Sequence, residues 1–170
     1  MRGYLCRKAY DMADFIQDSI GYEGGKVHSF FATDEVSSVL LSSQIVSDLI
    51  VKWNTTSLCL SLYCMKDVII RQLPKDSNHA KAYVIDQKDY DYDRIIKRSL
   101  FYLHSRSVKA IVINGAEHLF KKSDYSSVNQ ALSQVAVQEK VPVILVESYE
   151  VVCLIPTDHG IIRSCRAKGL

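Results

Sequence analysis

The sequence has few of the features that mark secreted, zinc-bound or membrane-spanning proteins. Its five cysteines are an odd number without a Cys-x-x-Cys pair, so we expect a reducing compartment and no disulfide scaffold. The five histidines show no ligand spacing with cysteine, which argues against a zinc site. There is no signal-peptide pattern at the start, and no apolar run approaches the length of a membrane span. We therefore expect a soluble, intracellular protein without a membrane partner.

Strong net charge is also absent. The formal charge is +2, so any nucleic-acid surface has to be a local patch. With 170 residues, 48% of them apolar, the chain is long enough for one domain with a full hydrophobic core. Cys59 and Cys64 lie in an apolar run and are expected to act as small core side chains.

Apolar runs of strand length alternate with helical stretches. The predicted strands cover 26–32, 58–64, 80–86, 109–114 and 141–147; the predicted helices run from Thr33 or Asp34 to Trp53 and over 66–73, 91–105 and 127–140. This alternation predicts an α/β fold with a mostly parallel sheet and helices on both faces. Residues 1–25 are interpreted as an N-terminal helical lead-in, and 26–170 as one α/β domain.

Several segments resemble the core of RecA-type recombinases. The stretch 110–126, AIVINGAEHLFKKSDYS, is similar to their Walker B strand and the segment after it, which in eukaryotic recombinases also reaches Asp-Tyr-Ser. The stretch 132–152 resembles the next helix and strand, 27–50 the phosphate-loop region, and 58–73 the region of the catalytic glutamate. The Ile-Asn-Gly segment also looks like that of small recombinase paralogs in Shu-type mediator complexes. The resemblance implies a RecA-like P-loop NTPase core with a degenerate nucleotide site. From periodicity alone, a flavodoxin-like or other small α/β domain remains open.

The residues that would bind and hydrolyse ATP are missing at three places. Residues 32–39 contain neither glycine nor lysine, while Asp34 and Glu35 would repel a triphosphate. Asn114 stands where the Walker B aspartate would hold Mg²⁺. Residues 64–67 contain no glutamate, only the shorter Asp67. We therefore expect no enzyme activity, no cofactor and no metal.

The resemblance also places two DNA-facing loops, at 121–127 and within 149–168. It implies DNA contacts by six residues: Lys121, Lys122, Tyr125, Arg163, Arg166 and Lys168. Ordinary alternatives stay open, a solvated helix end for the two lysines and a basic tail for the last three. Glu117 and His118 could form a catalytic pair, but a polar surface turn is favoured because no nucleophile is evident nearby.

The implied function is that of a non-catalytic recombinase paralog in the nucleus. It would form a heterodimer or larger complex with another recombinase paralog, bind single-stranded or forked DNA, and promote assembly of the recombinase filament in homologous recombination repair. The apolar face of the N-terminal segment could pack on its own domain or on that partner. The alternative is a scaffold subunit built from an ATPase-dead RecA-like or AAA-type domain, without DNA binding. A small α/β enzyme is the third hypothesis.

Overall fold

A computed structural model describes residues 22–75 and 81–148, apart from the side chains of Lys121 and Lys122, and the backbone of 153–155 and 163–165. The elements are β1 Val27–Ala32, α1 Glu35–Val51, β2 Ser57–Ser61, α2 Lys66–Gln72, β3 Ala82–Asp86, α3 Tyr92–Arg106, β4 Ala110–Asn114, α4 Glu117–Lys122, α5 Tyr125–Glu139, β5 Val143–Ser148, β6 Cys153–Ile155 and β7 Arg163–Cys165. None of the described helices is long and apolar enough to cross a bilayer.

Five strands form one sheet in the order β1-β5-β4-β2-β3, and every neighbouring pair is parallel. The predicted parallel sheet is confirmed. Since the chain steps from β1 to β2 to β3 and then returns through β4 to β5, right-handed crossovers place α1 and α2 on one face and α3 and α5 on the other. Strands β4 and β2 are neighbours whose following helices leave to opposite faces.

Each face of the sheet has its own hydrophobic core. The strand residues alternate between the two: Leu58 and Leu60 of β2 pack towards α3 and α5, and Cys59 between them packs towards α1 and α2. The same alternation runs through β4 and β5, whose residues are buried almost throughout. Burial on both faces explains why these strands read as continuous apolar runs.

Three longer helices begin with an aspartate cap and two end with a left-handed residue. Asp34, Asp91 and Asp124 each accept a backbone N–H from the first turn of their helix. Ser107 and Lys140 end α3 and α5 with positive φ. These local signals explain why the predicted helix positions largely hold.

Three features differ from the sequence predictions. Helix α4 was not predicted, nor was the antiparallel pair β6 and β7. Cys64 is exposed, with φ 57°, so its assignment to the core was wrong, whereas Cys59 is buried as expected. The lead-in 1–21 lies outside the described residues, and the boundary at residue 25 stays a prediction.

Candidate functional site at the carboxyl edge of the sheet

The carboxyl ends of the parallel strands are the usual ligand edge of such a sheet, and α1 begins there, directly after β1. Asp34 adopts an extended conformation before α1, and its Oδ1 accepts the N–H of Ser37 at 2.7 Å. Its Oδ2 accepts the Ser37 hydroxyl at 2.8 Å and the Thr33 hydroxyl at 3.1 Å. The Ser37 backbone hydrogen bond is the largest cause that holds the pKa of Asp34 below its usual value. The protein's own carboxylate therefore occupies the helix start that would otherwise attract a phosphate.

Asn114, at the end of β4, is completely buried against α1. Its Nδ2 donates to the hydroxyl oxygens of Ser38 at 2.9 Å and Ser42 at 3.0 Å. The Ser42 hydroxyl in turn donates to the Ser38 carbonyl at 2.9 Å. The structure thus brings the predicted Walker B position into contact with two serines of α1, Ser38 and Ser42. The Asn114 Nδ2 is thus paired within the protein, whereas its Oδ1 is buried without a hydrogen-bond partner among the described residues.

The position expected for a catalytic glutamate is taken by the start of α2. Met65 precedes this helix and contributes no side-chain cap; its N–H donates to the Ser61 hydroxyl at 3.0 Å. The Lys66 N–H donates to Asp86 at the end of β3, at 2.9 Å. Asp67, the shorter substitute considered from the sequence, is exposed in the first turn of α2.

A second polar cluster joins the ends of β2, β4 and β5. The hydroxyl of Tyr63 donates to Glu117 Oε1 and lies 2.6 Å from the Ser148 hydroxyl oxygen. Glu117 also accepts the Ser148 backbone N–H at 3.1 Å and its hydroxyl at 2.9 Å. Burial, followed by the hydrogen bond to Glu117, raises the pKa of Tyr63 above its usual value. Tyr63, Glu117 and Ser148 thus connect the segments that follow β2 and β4, whose next helices lie on opposite faces of the sheet, to the end of β5.

His118 packs beside this cluster between two tyrosines. Its ring stacks on Tyr90 with centroids 4.8 Å apart, and it meets Tyr63 edge-on at 5.3 Å. Glu117 and His118 are thus largely covered, with side chains 13% and 20% exposed, and do not form the surface turn favoured from the sequence. The contact partners of Glu117 and His118 become visible only once the strand order is known. The one sequence signal for this site was general, because the loops that follow parallel strands converge at the carboxyl edge. The polar cluster contains two hydroxyl groups and one carboxylate, and each of them is hydrogen-bonded to the other two.

The predicted DNA contacts are only partly within the described structure. Lys121 and Lys122 lie in α4, and Tyr125 begins α5, so the expected loop 121–127 is reduced to a short connection. The reason is local, because Asp124 caps α5 by accepting the Ser127 N–H at 3.1 Å. The ring of Tyr125 is 55% exposed and lies 4.6 Å from that of Phe120.

The remaining predicted contacts come from the tail. Arg163 is in β7, of which only the backbone is described, and Arg166 and Lys168 lie outside the described residues. The role of the six predicted contacts therefore stays a prediction.

Comparison with solved structures identifies the architecture. The chain is similar to the KaiC-like protein PH0186 from the hyperthermophilic archaeon Pyrococcus horikoshii OT3, with a TM-score of 0.58 and 11% sequence identity. The fold is RecA-like. The match covers 76% of this chain and 66% of that protein, just under two thirds of its length. No family model matches the RecA-like chain, and the search of curated proteins also found no match.

Proposed function

We propose that this RecA-like chain is a non-catalytic recombinase paralog, which binds DNA together with a partner subunit and promotes assembly of a recombinase filament. The observation that carries the non-catalytic part is the occupied carboxyl edge. Asp34 caps the helix that would receive a phosphate, and the Asn114 amide donates to Ser38 and Ser42 where a metal ion would need oxygen ligands. The recombination part rests on the resemblance of segments 110–126 and 132–152.

Exposed apolar side chains near the same edge support a subunit contact. Phe31 at the end of β1 is 50% exposed, and Val36 and Leu40 on α1 are 63% and 48% exposed. Val36 and Leu40 are four residues apart and therefore lie on one side of the helix. Exposed apolar groups of this kind favour burial against another protein. We place the partner paralog here.

Nucleotide binding is tested by thermal unfolding with MgATP. A ligand at one hundred times its dissociation constant stabilises a folded protein by about 2.7 kcal/mol, so a functioning site would raise the midpoint clearly. We expect no shift. A raised midpoint, or ATP turnover above background, would contradict the non-catalytic assignment and favour the small-enzyme hypothesis.

DNA binding is tested by gel shift with single-stranded and forked DNA, using the chain alone and with partners recovered by affinity purification and mass spectrometry. Alanine at Lys121, Lys122, Arg163, Arg166 and Lys168 should weaken binding and reduce its salt dependence. A recombinase paralog among the partners supports the proposal. If no DNA shift occurs with or without the partners, the chain is a scaffold subunit of another assembly.

A further inference from the structure

The two edges of the sheet carry opposite charge. Acidic residues such as Asp34, Asp67 and Asp89 occupy the helix starts and loops at the carboxyl edge. Basic residues gather at the amino edge, where the strands begin and the helices end. We infer that this amino edge binds the phosphate backbone of single-stranded nucleic acid through Lys81, Lys109 and Lys140, beside Trp53.

Lys81 and Lys109 directly precede β3 and β4, the two neighbours of β2, and Lys140 lies three residues before β5. The Ser57 N–H at the start of β2 donates to the Lys81 carbonyl at 2.9 Å, and the Lys109 N–H donates to the Thr56 carbonyl at 2.8 Å. Lys81 and Lys109 therefore flank β2, two strand spacings or about 10 Å apart. Lys140 lies just before β5, the strand beyond β4. Lys140, Lys109 and Lys81 thus make up the basic row, in the spatial order of the strands β5, β4 and β3 that follow them.

The positive charges in this row are available. All three lysines are exposed, and within the described part of the chain none of their ammonium groups makes an ion pair. Two other lysines at the same edge are paired, Lys26 with Glu23 and Lys52 with Asp48. The helix dipole favours a base at a helix end, which accounts for Lys140 and Lys52. It does not account for Lys81 and Lys109, which precede strands.

An exposed aromatic side chain lies at the same edge of the sheet. Trp53 follows α1 and is 50% exposed. Its turn is fixed, because the Trp53 N–H donates to the Asp48 carbonyl at 3.3 Å and the Thr55 hydroxyl donates to the Trp53 carbonyl at 3.0 Å. Three residues later Thr56 contacts both lysine-bearing segments. Exposed lysines and an exposed indole at the same edge are the elements of sequence-tolerant single-strand binding.

A cleft extends the same surface along the outer side of β3. Its volume is about 670 Å³, and Lys81, Tyr83 and Tyr102 are among the residues that line it. The two tyrosine rings are 5.3 Å apart. A concave, aromatic wall next to a cation can hold an unstacked base, whereas a flat lipid surface would not enter such a cleft. We therefore favour nucleic acid over an anionic membrane as the ligand. This inference does not depend on the loop contacts or the recombination role proposed above.

The sequence contains a single tryptophan, so its fluorescence reports on this surface alone. The full chain is titrated with an oligothymidylate longer than the roughly 4–16 nucleotides of a typical site. We expect quenching of Trp53. In the triple variant Lys81→Gln, Lys109→Gln, Lys140→Gln, the slope of log affinity against log salt should fall by about 2, since each phosphate contact on a single strand contributes about 0.7.

A matched triple variant removes the same charge elsewhere. The control combines Lys66→Gln, Lys88→Gln and Lys97→Gln. These three lysines lie at the carboxyl edge or on the outer side of α3, so their loss should leave the Trp53 quenching and the salt dependence of binding unchanged. Trp53→Ala, followed by anisotropy of a labelled oligonucleotide, should weaken binding roughly tenfold through lost stacking. Circular dichroism checks that each variant is folded.

Four results would overturn the inference, the last of them in the double variant Lys121→Ala with Lys122→Ala. The first is oligothymidylate binding that leaves Trp53 fluorescence unchanged. The second is equal loss of salt slope in both triple variants. The third is quenching by phosphatidylserine vesicles but not by oligothymidylate, which would make the edge a membrane contact. If Lys121→Ala with Lys122→Ala abolishes gel shifts while Trp53 quenching persists, the two DNA surfaces are separate. If that variant abolishes both, the loops alone bind DNA.

Discussion

Replacing Asn114 by aspartate puts an acid at the position that the resemblance assigns to the Walker B aspartate, and tests whether this position can accept a metal ion. The side chain is completely buried, and its amide donates two hydrogen bonds, to Ser38 and to Ser42. A carboxylate has no hydrogen to donate. The Ser42 hydroxyl already donates to the Ser38 carbonyl, so only the Ser38 hydroxyl is left to turn towards the new acid.

The expected cost follows from these contacts. Two neutral hydrogen bonds are lost, at about 1 kcal/mol each, and one charge-assisted bond is regained at about 1.5–3 kcal/mol. The desolvation of a buried, unpaired carboxylate then dominates, so the free energy of unfolding should fall by about 3–5 kcal/mol at pH 7. Burial favours the neutral acid and raises its pKa. The penalty is therefore largest above that raised pKa and shrinks as the pH falls through it.

Urea unfolding followed by circular dichroism at pH 7 and pH 5 measures both effects. Asn54→Asp is the matched control, because Asn54 is exposed and the same chemical change should cost less than about 0.5 kcal/mol. Adding Mg²⁺ should not rescue Asn114→Asp. An Asn114→Asp variant as stable as the wild type at pH 7, or one that Mg²⁺ stabilises selectively, would refute the reasoning and indicate a latent metal site.

Three smaller perturbations test other parts of the structure. Asp34→Ala should lower the free energy of unfolding by about 1 kcal/mol at neutral pH. Because folding lowers the pKa of Asp34, this difference in stability should fade as the pH falls below about 4. A difference that does not depend on pH in urea unfolding would argue against the cap. Tyr63→Phe removes the phenol that donates to Glu117 and should cost about 1–2 kcal/mol in the same assay, whereas unchanged stability would show that the contact contributes nothing. Iodoacetamide should alkylate the exposed Cys64 in the folded protein and spare Cys59, since burial raises the pKa of Cys59 to about 12; equal labelling by peptide mass mapping would contradict the burial.

Much of the fold could be predicted because the strands are buried on both faces. Continuous apolar residues in β4 and β5 require helices on both sides, and aspartate caps mark where α1 and α3 begin. Helix α4 has only six residues and no side-chain cap, so it lacked both signals. Cys64 was misplaced because it follows the apolar run of β2, at the residue where the chain turns with a positive φ.

The polar cluster at the carboxyl edge could not be predicted for a different reason. Tyr63, Glu117 and Ser148 are separated by 54 and 31 positions, and each is unremarkable in its own segment. They meet only because β2, β4 and β5 end side by side. The strand order β1-β5-β4-β2-β3 was needed to see this contact. The contact of Asn114 with Ser38 and Ser42 was likewise not predicted, because it joins β4 to α1 across 76 and 72 positions of the chain.

The distribution of charge bears on how a partner and a nucleic acid could share this chain. At the start of α1 on the carboxyl edge, Asp34 and Glu35 adjoin the exposed apolar side chain of Val36, and a polyanion close to these two acids would meet repulsion. At the amino edge, Lys81 and Lys109 are free of ion pairs within the described residues. A partner that covered the carboxyl edge would therefore leave the basic row accessible, and DNA and partner would bind without competition.

Loop contacts near Lys121 predict the opposite, because α4 starts at the carboxyl edge and a partner there would also approach the DNA. Comparing the DNA affinity of the chain alone with that of the purified complex thus separates the two arrangements. If Lys81 and Lys109 contribute as much to DNA affinity in the complex as in the chain alone, the partner and the DNA bind at opposite edges. If this contribution is lost in the complex, the partner and the DNA meet on one surface.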